Sequence, residues 1–276
     1  MILDTDIGGD PDDIFALLLA LNSPENKLDL VITSNEHRGH RASFAEEIAG
    51  ELGFSLEVVP GMELGREEYC LVCDVADEKV GSDMLERIAG VVEEQERTKY
   101  VTIGPQTNLA RFIGKYPELA SDLHVSCMGG YIDRERSDYN IRADLESAKA
   151  VFNSEADTEY VTADVTNAEP LKIGRENDLY RHLISSSETL ESLLEYNAEA
   201  FKKSMGHKKF YTYMHDPLTV SAALGKEFVS FDEENIQLDS KGSMQISESG
   251  TPTRIAKSAR YGEFMEFLYN RIGGIL

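Results

Sequence analysis

Short apolar segments alternate with helix-like segments along the first part of the chain, and this alternation limits the fold more than any other feature. The strand-like runs span 1–5, 28–34, 56–61, 100–104, 122–130 and 159–166, and the helix-like runs span 11–23, 40–53, 106–116 and 144–154. Parallel strands need long crossover connections, which are usually helices. The pattern therefore predicts an α/β fold with a mainly parallel sheet flanked by helices, similar to the Rossmann fold.

The later part of the chain has a different pattern. It reads as mainly helical from about residue 175 to 225, then as a hairpin at 234–250, and then as an amphipathic helix at 261–272. No repeat or low-complexity linker separates it from the first part. With 276 residues, 41% of them hydrophobic, the chain is long enough to bury a substantial core. We expect a single domain over 1–276 with a helical C-terminal part.

The net charge of −23 excludes some partners. Such a surface repels nucleic acid phosphates and anionic lipid headgroups, so we expect neither nucleic acid nor membrane as a partner. No apolar run of about 18 residues suggests a membrane span, and no signal peptide is evident. These features predict a soluble cytoplasmic protein.

The three cysteines, Cys70, Cys73 and Cys127, carry a weaker signal. The first two form a CxxC, but no second CxxC and no histidine pair at zinc-finger spacing follows it. A redox CxxC normally opens a helix in a thioredoxin-like unit, which the surrounding sequence does not suggest. We therefore expect structural or incidental thiols in an intracellular protein.

The first strand leads into the acidic stretch DTDIGGDPDD, which contains Asp4, Asp6, Asp10, Asp12 and Asp13. On a strand, the first two would point to the same side. Several carboxylates this close repel one another unless a cation or shared protons offset the charge. A hard divalent ion is the simplest explanation, and oxygen ligands suit Ca²⁺ better than zinc. The turn also follows the carboxyl end of a strand, where α/β sheets bind ligands.

Part of this stretch has an ordinary structural interpretation. Asp10 is a good N-cap, Pro11 suits the first helical position, and Asp13 could complete a capping box. A strand ending in DxD also opens the haloacid-dehalogenase-type phosphatases. That alternative is disfavoured because the immediate PDD does not fit it, and no later lysine precedes an acidic pair at a strand end.

A second polar pair, His215-Asp216, lies in YMHDPLTVSAAL. In one interpretation, Asp216 only caps the helix that starts at Pro217 and His215 is a solvated loop residue. In the other, Asp216 completes a metal shell, and His215 faces the same cleft as an acid or proton relay.

These segments, in this order, resemble the inosine–uridine-preferring nucleoside hydrolase family. The resemblance covers nearly the whole chain. It is carried by ILDTDIGGDPDDIFALLLAL, VITSNE, VTIGPQTNLA, SCMGGY, SDYNIRADLESAKAVFNS, TADVT, MHDPLTV and LDSKGSMQIS. The resemblance implies a nucleoside hydrolase fold, a Ca²⁺ cofactor, a small ribonucleoside as substrate, a role in nucleoside salvage, and a homodimer or homotetramer.

Roles carried over from the family fall on matching positions of this sequence. The implied metal ligands are Asp6, Asp13, Asp216 and the main-chain carbonyl of Ile103. Asp6 would also be the general base, and His215 would be the acid for the leaving group. The implied substrate-binding residues are Asp12, Asn35, Met128, Asp138, Asn140 and Asp216. Asp4 is interpreted as a neighbour that supports Asp6.

The sequence departs from the family pattern at three places. The acidic turn is two residues longer and contains Gly8 and Gly9, and Asp138 stands where the family usually has Glu. The loop that frames the base is replaced by YCLVCDVADEKVGSDM, which leaves the nucleobase open. The side chains that precede His215 either line a base pocket or pack the loop; they are His207, Tyr211 and Tyr213.

The resulting prediction is a Ca²⁺-dependent N-ribohydrolase in which an activated water splits a ribonucleoside into ribose and free base. Two alternatives stay open. The same chemistry could act on another riboside or glycoside, or the chain could be a non-catalytic relative that binds calcium and sugar.

Overall fold

The computed structural model describes residues 1–66, 69–81 and 83–273. Its strands are β1 (Ile2–Thr5), β2 (Leu30–Thr33), β3 (Val58–Pro60), β4 (Thr98–Thr102), β5 (Leu123–Met128), β6 (Asp157–Val161), β7 (Lys172–Ile173), β8 (Thr212–Tyr213), β9 (Val229–Leu238), β10 (Met244–Ile246) and β11 (Thr251–Ala259). Nine of them form one sheet, and β7 pairs with β8 separately.

Helices connect most of the strands of the sheet. They are α1 (Asp12–Leu21), α2 (His40–Glu51), α3 (Met84–Glu93), α4 (Thr107–Lys115), α5 (Tyr139–Ala143), α6 (Leu145–Phe152), α7 (Ala163–Thr166), α8 (Asp178–Ile184), α9 (Glu188–Ser204), α10 (His215–Ala223) and α11 (Tyr261–Gly273). In the part of the chain that the structure describes, no helix combines the length and the apolar composition needed to cross a membrane.

The strand order is β10-β9-β11-β6-β5-β4-β1-β2-β3, and the pairings from β3 across to β11 are parallel. The predicted fold class, a mainly parallel sheet flanked by helices, is confirmed. The chain runs from β1 outward to β3 and returns to place β4 on the other side of β1. This reversal creates a crevice at the carboxyl ends of β1 and β4, where open α/β sheets bind ligands.

The core lies on both faces of the sheet. Because side chains alternate along a strand, Leu3 of β1 belongs to one cluster of buried residues and Ile2 to the other. Helix α1 is buried from Asp12 to Ala20, which is typical of a helix in the centre of a large domain. The acidic turn between β1 and α1 is therefore held between two rigid, buried elements.

Some predicted elements need correction. The strand expected over 159–166 ends at Val161, and residues 163–166 form α7, because the Ala163 N–H bonds the Gly130 carbonyl and the backbone leaves the sheet. The hairpin expected over 234–250 forms, with Leu238 opposite Met244. Strand β11 was not predicted, and neither were α3 and α5.

The expectation of free thiols is wrong for two of the three cysteines. Residues 71–75 form a turn that brings the Cα atoms of Cys70 and Cys73 to 5.9 Å, and their sulfurs form a disulfide. Cys127 is a free cysteine buried in β5. The single domain over 1–276 stays a prediction.

Candidate active site

Most of the predicted site residues lie at the crevice between β1 and β4 or beside it. Asp6 directly follows β1, Asn35 follows β2, Ile103 follows β4, and Met128 ends β5. Because the carboxyl ends of parallel strands lie at the same edge of a sheet, residues far apart in sequence meet here.

Three carboxylates meet at the bottom of this crevice. Oxygen atoms of Asp12, Asp13 and Asp216 lie within 4.8 Å of one another, and the three residues are only 1%, 2% and 5% exposed. The Asp216 N–H at the start of α10 donates to Oδ2 of Asp12 at 3.1 Å, which ties two distant elements together. The Thr5 hydroxyl donates to Asp13. The carboxylate ligands predicted from the sequence were Asp6, Asp13 and Asp216. The group that lies together in the structure contains Asp12 instead of Asp6.

The three carboxylates are electrostatically unfavourable as anions. Burial raises the pKa of Asp12, Asp13 and Asp216 well above the usual range, and the mutual repulsion of the carboxylates raises it further. A bound cation would remove that cost. The donor atoms are all carboxylate oxygens, which suits a hard divalent ion. The residues present therefore fit the predicted metal site.

Asp6 lies beside this group, and its residue is half-buried. Burial raises the pKa of Asp6 to about 6, with Arg41 lowering it and Asp138 raising it. Its Oδ1 faces Gly104, where an added Cβ would lie 2.9 Å from that oxygen. Glycine at position 104 thus leaves room for the Asp6 carboxylate, which can take up a proton near neutral pH.

Asp4 lies beneath Asp6 and is fully buried. It accepts hydrogen bonds from the Tyr100 hydroxyl at 2.7 Å and from Nδ2 of Asn108 at 3.0 Å. Burial nevertheless raises the pKa of Asp4 to about 7. Asp4 thus joins β1 to β4 and α4, and its role in supporting Asp6 stays a prediction.

The predicted cap at Asp10 is present as a long hydrogen bond. Helix α1 begins at Asp12, but Pro11 before it already has helical dihedral angles, φ −63° and ψ −11°, and Oδ1 of Asp10 accepts the Asp12 N–H at 3.5 Å. The same oxygen also accepts a hydrogen bond from the Thr212 hydroxyl in β8. Asp13 bonds Thr5 and forms no capping box. The longer turn therefore places Asp10 against the segment that leads to His215.

Arg41 is the residue that the sequence analysis missed. It is fully buried in the first turn of α2. Its guanidinium donates to four backbone carbonyls, those of Asp6, Ile7, Asn35 and Tyr69. It thus supplies a positive charge beside the acidic turn and joins the turns after β1 and β2. The available signal was an arginine at the start of a helix-like run, followed by the small and apolar residues Ala42, Ser43 and Phe44.

Asn35 has the strongest sign of a missing ligand. It is 1% exposed and adopts a left-handed backbone with φ 47°. Its Nδ2 donates to the Tyr139 hydroxyl at 3.0 Å, but its buried Oδ1 has no hydrogen-bond partner among the residues that the structure describes. Buried polar atoms are rarely left unpaired, so this oxygen is free to accept a hydroxyl of a ligand.

The other predicted sugar-binding residues have structural contacts. The Asn140 side-chain amide donates to the carbonyls of Ile103 at 2.8 Å and Met128 at 3.3 Å, joining the ends of β4 and β5. Each carbonyl keeps a second lone pair. Asp138 caps α5 by accepting the N–H groups of Asn140 and Ile141, and burial raises its pKa.

His215 opens α10 next to Asp216 and is half-buried. Its Nδ1 lies 2.7 Å from the Thr166 hydroxyl, and loss of hydration lowers its pKa to about 4. The imidazole is therefore neutral at physiological pH. A row of aromatic rings runs from His215 through Tyr213 and Tyr211 to His207, with centroids 5.6, 6.1 and 4.4 Å apart.

Comparison with known proteins gives one family match. Residues 1–266 match the model described as inosine-uridine preferring nucleoside hydrolase. The pyrimidine-specific ribonucleoside hydrolase RihA of Escherichia coli O81 (strain ED1a) is 23% identical over 283 residues, which cover 88% of this chain and 85% of that protein.

Two solved structures have the same fold. The purine-preferring ribonucleoside hydrolase from Gardnerella vaginalis superposes with a TM-score of 0.82 at 20% identity, covering 100% of this chain and 99% of that one. The plant nucleoside hydrolase PpNRh1 gives a TM-score of 0.80 at 18% identity, covering 99% and 98%. The Escherichia coli relative is named as pyrimidine-specific and the Gardnerella vaginalis relative as purine-preferring, so the relatives differ in base preference.

Proposed function

The chain belongs to the inosine-uridine preferring nucleoside hydrolase family, a family of glycosidases that act on N-glycosyl compounds, and from this premise we propose a Ca²⁺-dependent N-ribohydrolase. Its reaction would be hydrolysis of a ribonucleoside to ribose and a free base. The observation that carries the proposal is the group of buried carboxylates of Asp12, Asp13 and Asp216 beside Asp6 at the crevice.

The residues that would hold the ion are Asp6, Asp13 and Asp216, with the Ile103 carbonyl. Asp12 belongs to the same group of oxygens and either joins them or turns to the sugar. An oxygen-only set with several carboxylates favours Ca²⁺ over zinc. When bound, the cation would make a coordinated water more acidic and hold it in place.

Asp6 is the residue best placed to accept the proton of the attacking water. Its pKa of about 6 lies close to working pH, where a general base is most effective. Binding of a cation nearby would lower that pKa and keep the carboxylate ionised. Fixed negative charge around the crevice would also stabilise an oxocarbenium-like sugar as the base departs.

The sugar would be held by groups around the crevice. The unpaired Oδ1 of Asn35 is buried and ready to accept a ribose hydroxyl. Asp12 and Asp216 supply carboxylates for the neighbouring hydroxyls. Asn140 and Asp138 would position the far side of the sugar through the ends of β4 and β5, together with Met128.

His215 would assist the departing base as a neutral imidazole. If the Thr166 hydroxyl donates to Nδ1, the ring proton lies on Nε2, and this N–H can donate a hydrogen bond to a nitrogen of the departing base. The aromatic row of Tyr213, Tyr211 and His207 begins at this ring and offers faces for stacking a base. We also propose a cytoplasmic enzyme that assembles as a homodimer or homotetramer.

A panel of substrates tests the proposal. The protein is stripped with EDTA and assayed for released ribose on inosine, adenosine, guanosine, uridine and cytidine, and on 4-nitrophenyl riboside, with and without added Ca²⁺. We expect release from at least one nucleoside, and only with Ca²⁺. Release from the nitrophenyl riboside alone would indicate another riboside as substrate. Calcium and ribose binding without turnover would indicate a non-catalytic relative.

A further inference from the structure

A second group of metal-binding side chains lies apart from the carboxylates. Ligand atoms of His37, His40 and Cys73 lie within 4.8 Å of one another, and Cys70 is bonded to Cys73. The histidines sit in the turn between β2 and α2, and the cysteines lie in a turn about thirty residues later. The sequence HRGH therefore supplies a histidine pair that precedes the CxxC.

The backbone of the histidine turn is held in a specific shape. The Glu36 carboxylate accepts the N–H groups of His37 and Arg41, at 2.8 and 3.1 Å. Arg38 and Gly39 adopt left-handed conformations with φ 52° and 81°. A Cβ at Gly39 would lie 2.0 Å from the carbonyl oxygen of Lys79, so only glycine allows this close approach.

His40 is oriented like a metal ligand. It is 8% exposed, and its Nδ1 lies 2.6 Å from the Ala76 carbonyl oxygen. A carbonyl only accepts, so the ring proton is on Nδ1 and the lone pair is on Nε2. Metal-ligating histidines typically donate their other N–H to such a carbonyl, which fixes the ring. The ring of His37 lies nearly parallel to it, with centroids 5.8 Å apart.

We propose that, in the reduced protein, Cys70, Cys73, His37 and His40 bind one Zn²⁺. Two thiolates and two imidazoles form a common four-coordinate zinc set, whereas Ca²⁺ prefers oxygen. A thiol reductant first converts the disulfide into two thiols and is itself oxidised to a disulfide. Zn²⁺ then binds the two sulfurs and releases two protons to solvent. The disulfide and the zinc ion are alternative ways to close the same turn.

This closure is coupled to the candidate active site. The Leu71 N–H donates to the Gly8 carbonyl at 2.9 Å, and Val72 packs where a Cβ on Gly8 would lie 2.4 Å from it. Arg41, next to His40, donates both to Tyr69 beside Cys70 and to Asp6. Zinc or the disulfide would thus hold this segment against the acidic turn.

Cobalt is a suitable probe, because Co²⁺ bound to thiolate gives a charge-transfer band in the near ultraviolet and Co²⁺ bound to carboxylates does not. The protein is reduced, freed of metal and titrated with Co²⁺ in excess Ca²⁺, which fills the acidic site. We expect a thiolate band that saturates at one equivalent and is removed by one equivalent of Zn²⁺. The oxidised protein should give no band.

Matched variants locate the ligands. Cys73→Ser should lose the band, and His40→Gln should weaken Co²⁺ binding by at least tenfold, while Cys127→Ala should keep the wild-type titration because that cysteine lies in β5. Absence of a thiolate band in the reduced wild-type protein would overturn the proposal without any variant. A band that persists unchanged in Cys73→Ser would overturn it as well.

Discussion

Two neighbouring turns of this fold collect very different chemistry. The turn after β1, residues 6–13, presents oxygen atoms only, and Asp12 and Asp13 in it are almost fully buried. The turn after β2 meets the segment 70–76 and presents nitrogen and sulfur, with His40 and Cys70 buried and His37 and Cys73 half-buried. Hard and soft ions are distinguished by such donor sets. Sites for two different ions can therefore lie one strand apart.

The two turns also differ in the roles that we expect of them. The first turn lies at the topological reversal of the sheet, where a substrate can reach it. The segment 70–76, which meets the second turn, bonds Gly8 through Leu71, and Arg41 at the start of α2 bonds Asp6, so both support the first turn. We therefore expect changes in the first turn to affect catalysis and changes in the second to affect positioning. The predictions below test this division, beginning with the largest effect.

Asp6→Asn should have the largest effect on activity. The amide keeps the size of the side chain but cannot accept the proton, so we expect kcat to fall about 10²- to 10⁴-fold, as for loss of a general base. Ribose binding, measured by calorimetry, should change much less. Asp232→Asn, at a side chain 67% exposed, is the matched control and should be neutral. Retained turnover would refute the role of Asp6 as base.

Arg41→Met should break the link between the two turns. It removes the donors to four carbonyls and the one charge that lowers the pKa of both Asp6 and Asp13. We expect the free energy of unfolding in urea to fall by about 3 kcal/mol or more, because buried acceptors lose charged donors.

Arg38→Met is the control in the same turn. Arg38 forms an exposed ion pair with Glu78, and such pairs contribute about 0–1 kcal/mol. Equal losses of stability in the two variants would show that Arg41 does not connect the turns in the way its hydrogen bonds indicate.

His215→Ala tests whether a residue of α10 takes part in the reaction together with the residues of the first turn. If the His215 N–H donates a hydrogen bond to the leaving base, kcat on nucleosides should fall about 10²-fold in the variant. On 4-nitrophenyl riboside, whose leaving group needs no such donor, the rate should stay within a few fold of wild type. A similar loss on both substrates would assign His215 to the shape of the site rather than to stabilising the leaving base.

The difference between the two turns also shows what the sequence could reveal. The mainly parallel sheet follows from the alternation of segments, and Asp6, Asp12 and Asp13 were singled out because they are close in sequence and follow a strand. The proximity of His40 and Cys73 was not predicted, because the two residues belong to turns that are far apart in sequence.

Other errors have local causes. Asp13 was expected to complete a capping box because its residue type and position favour it, yet it bonds Thr5, and Asp10 gains a second partner, Thr212, that only the folded chain brings near. Strand β11 was missed because its burial follows no simple alternation. Arg41 was missed because a buried arginine is recognisable only by the carbonyls around it.

The last prediction concerns pH and stability, where the two turns should again differ. In the metal-free protein, burial raises the pKa of Asp4 to about 7 and of Asp6 to about 6, above their values in the unfolded chain. At these two groups the folded state then binds more protons than the unfolded state, so their contribution to stability is full below about pH 4 and is lost as pH rises to about 7. Bound Ca²⁺ should offset this loss, because it favours the ionised carboxylates.

The rise in melting temperature on adding Ca²⁺ should therefore grow from pH 5 to pH 7.5, by a few degrees for each kcal/mol of binding. Cys73→Ser should reduce this calcium effect far less than Asp13→Asn does, since its sulfur supports the acidic turn but is not one of the predicted ligands. A calcium effect independent of pH would contradict the assignment of the ion to the acidic turn.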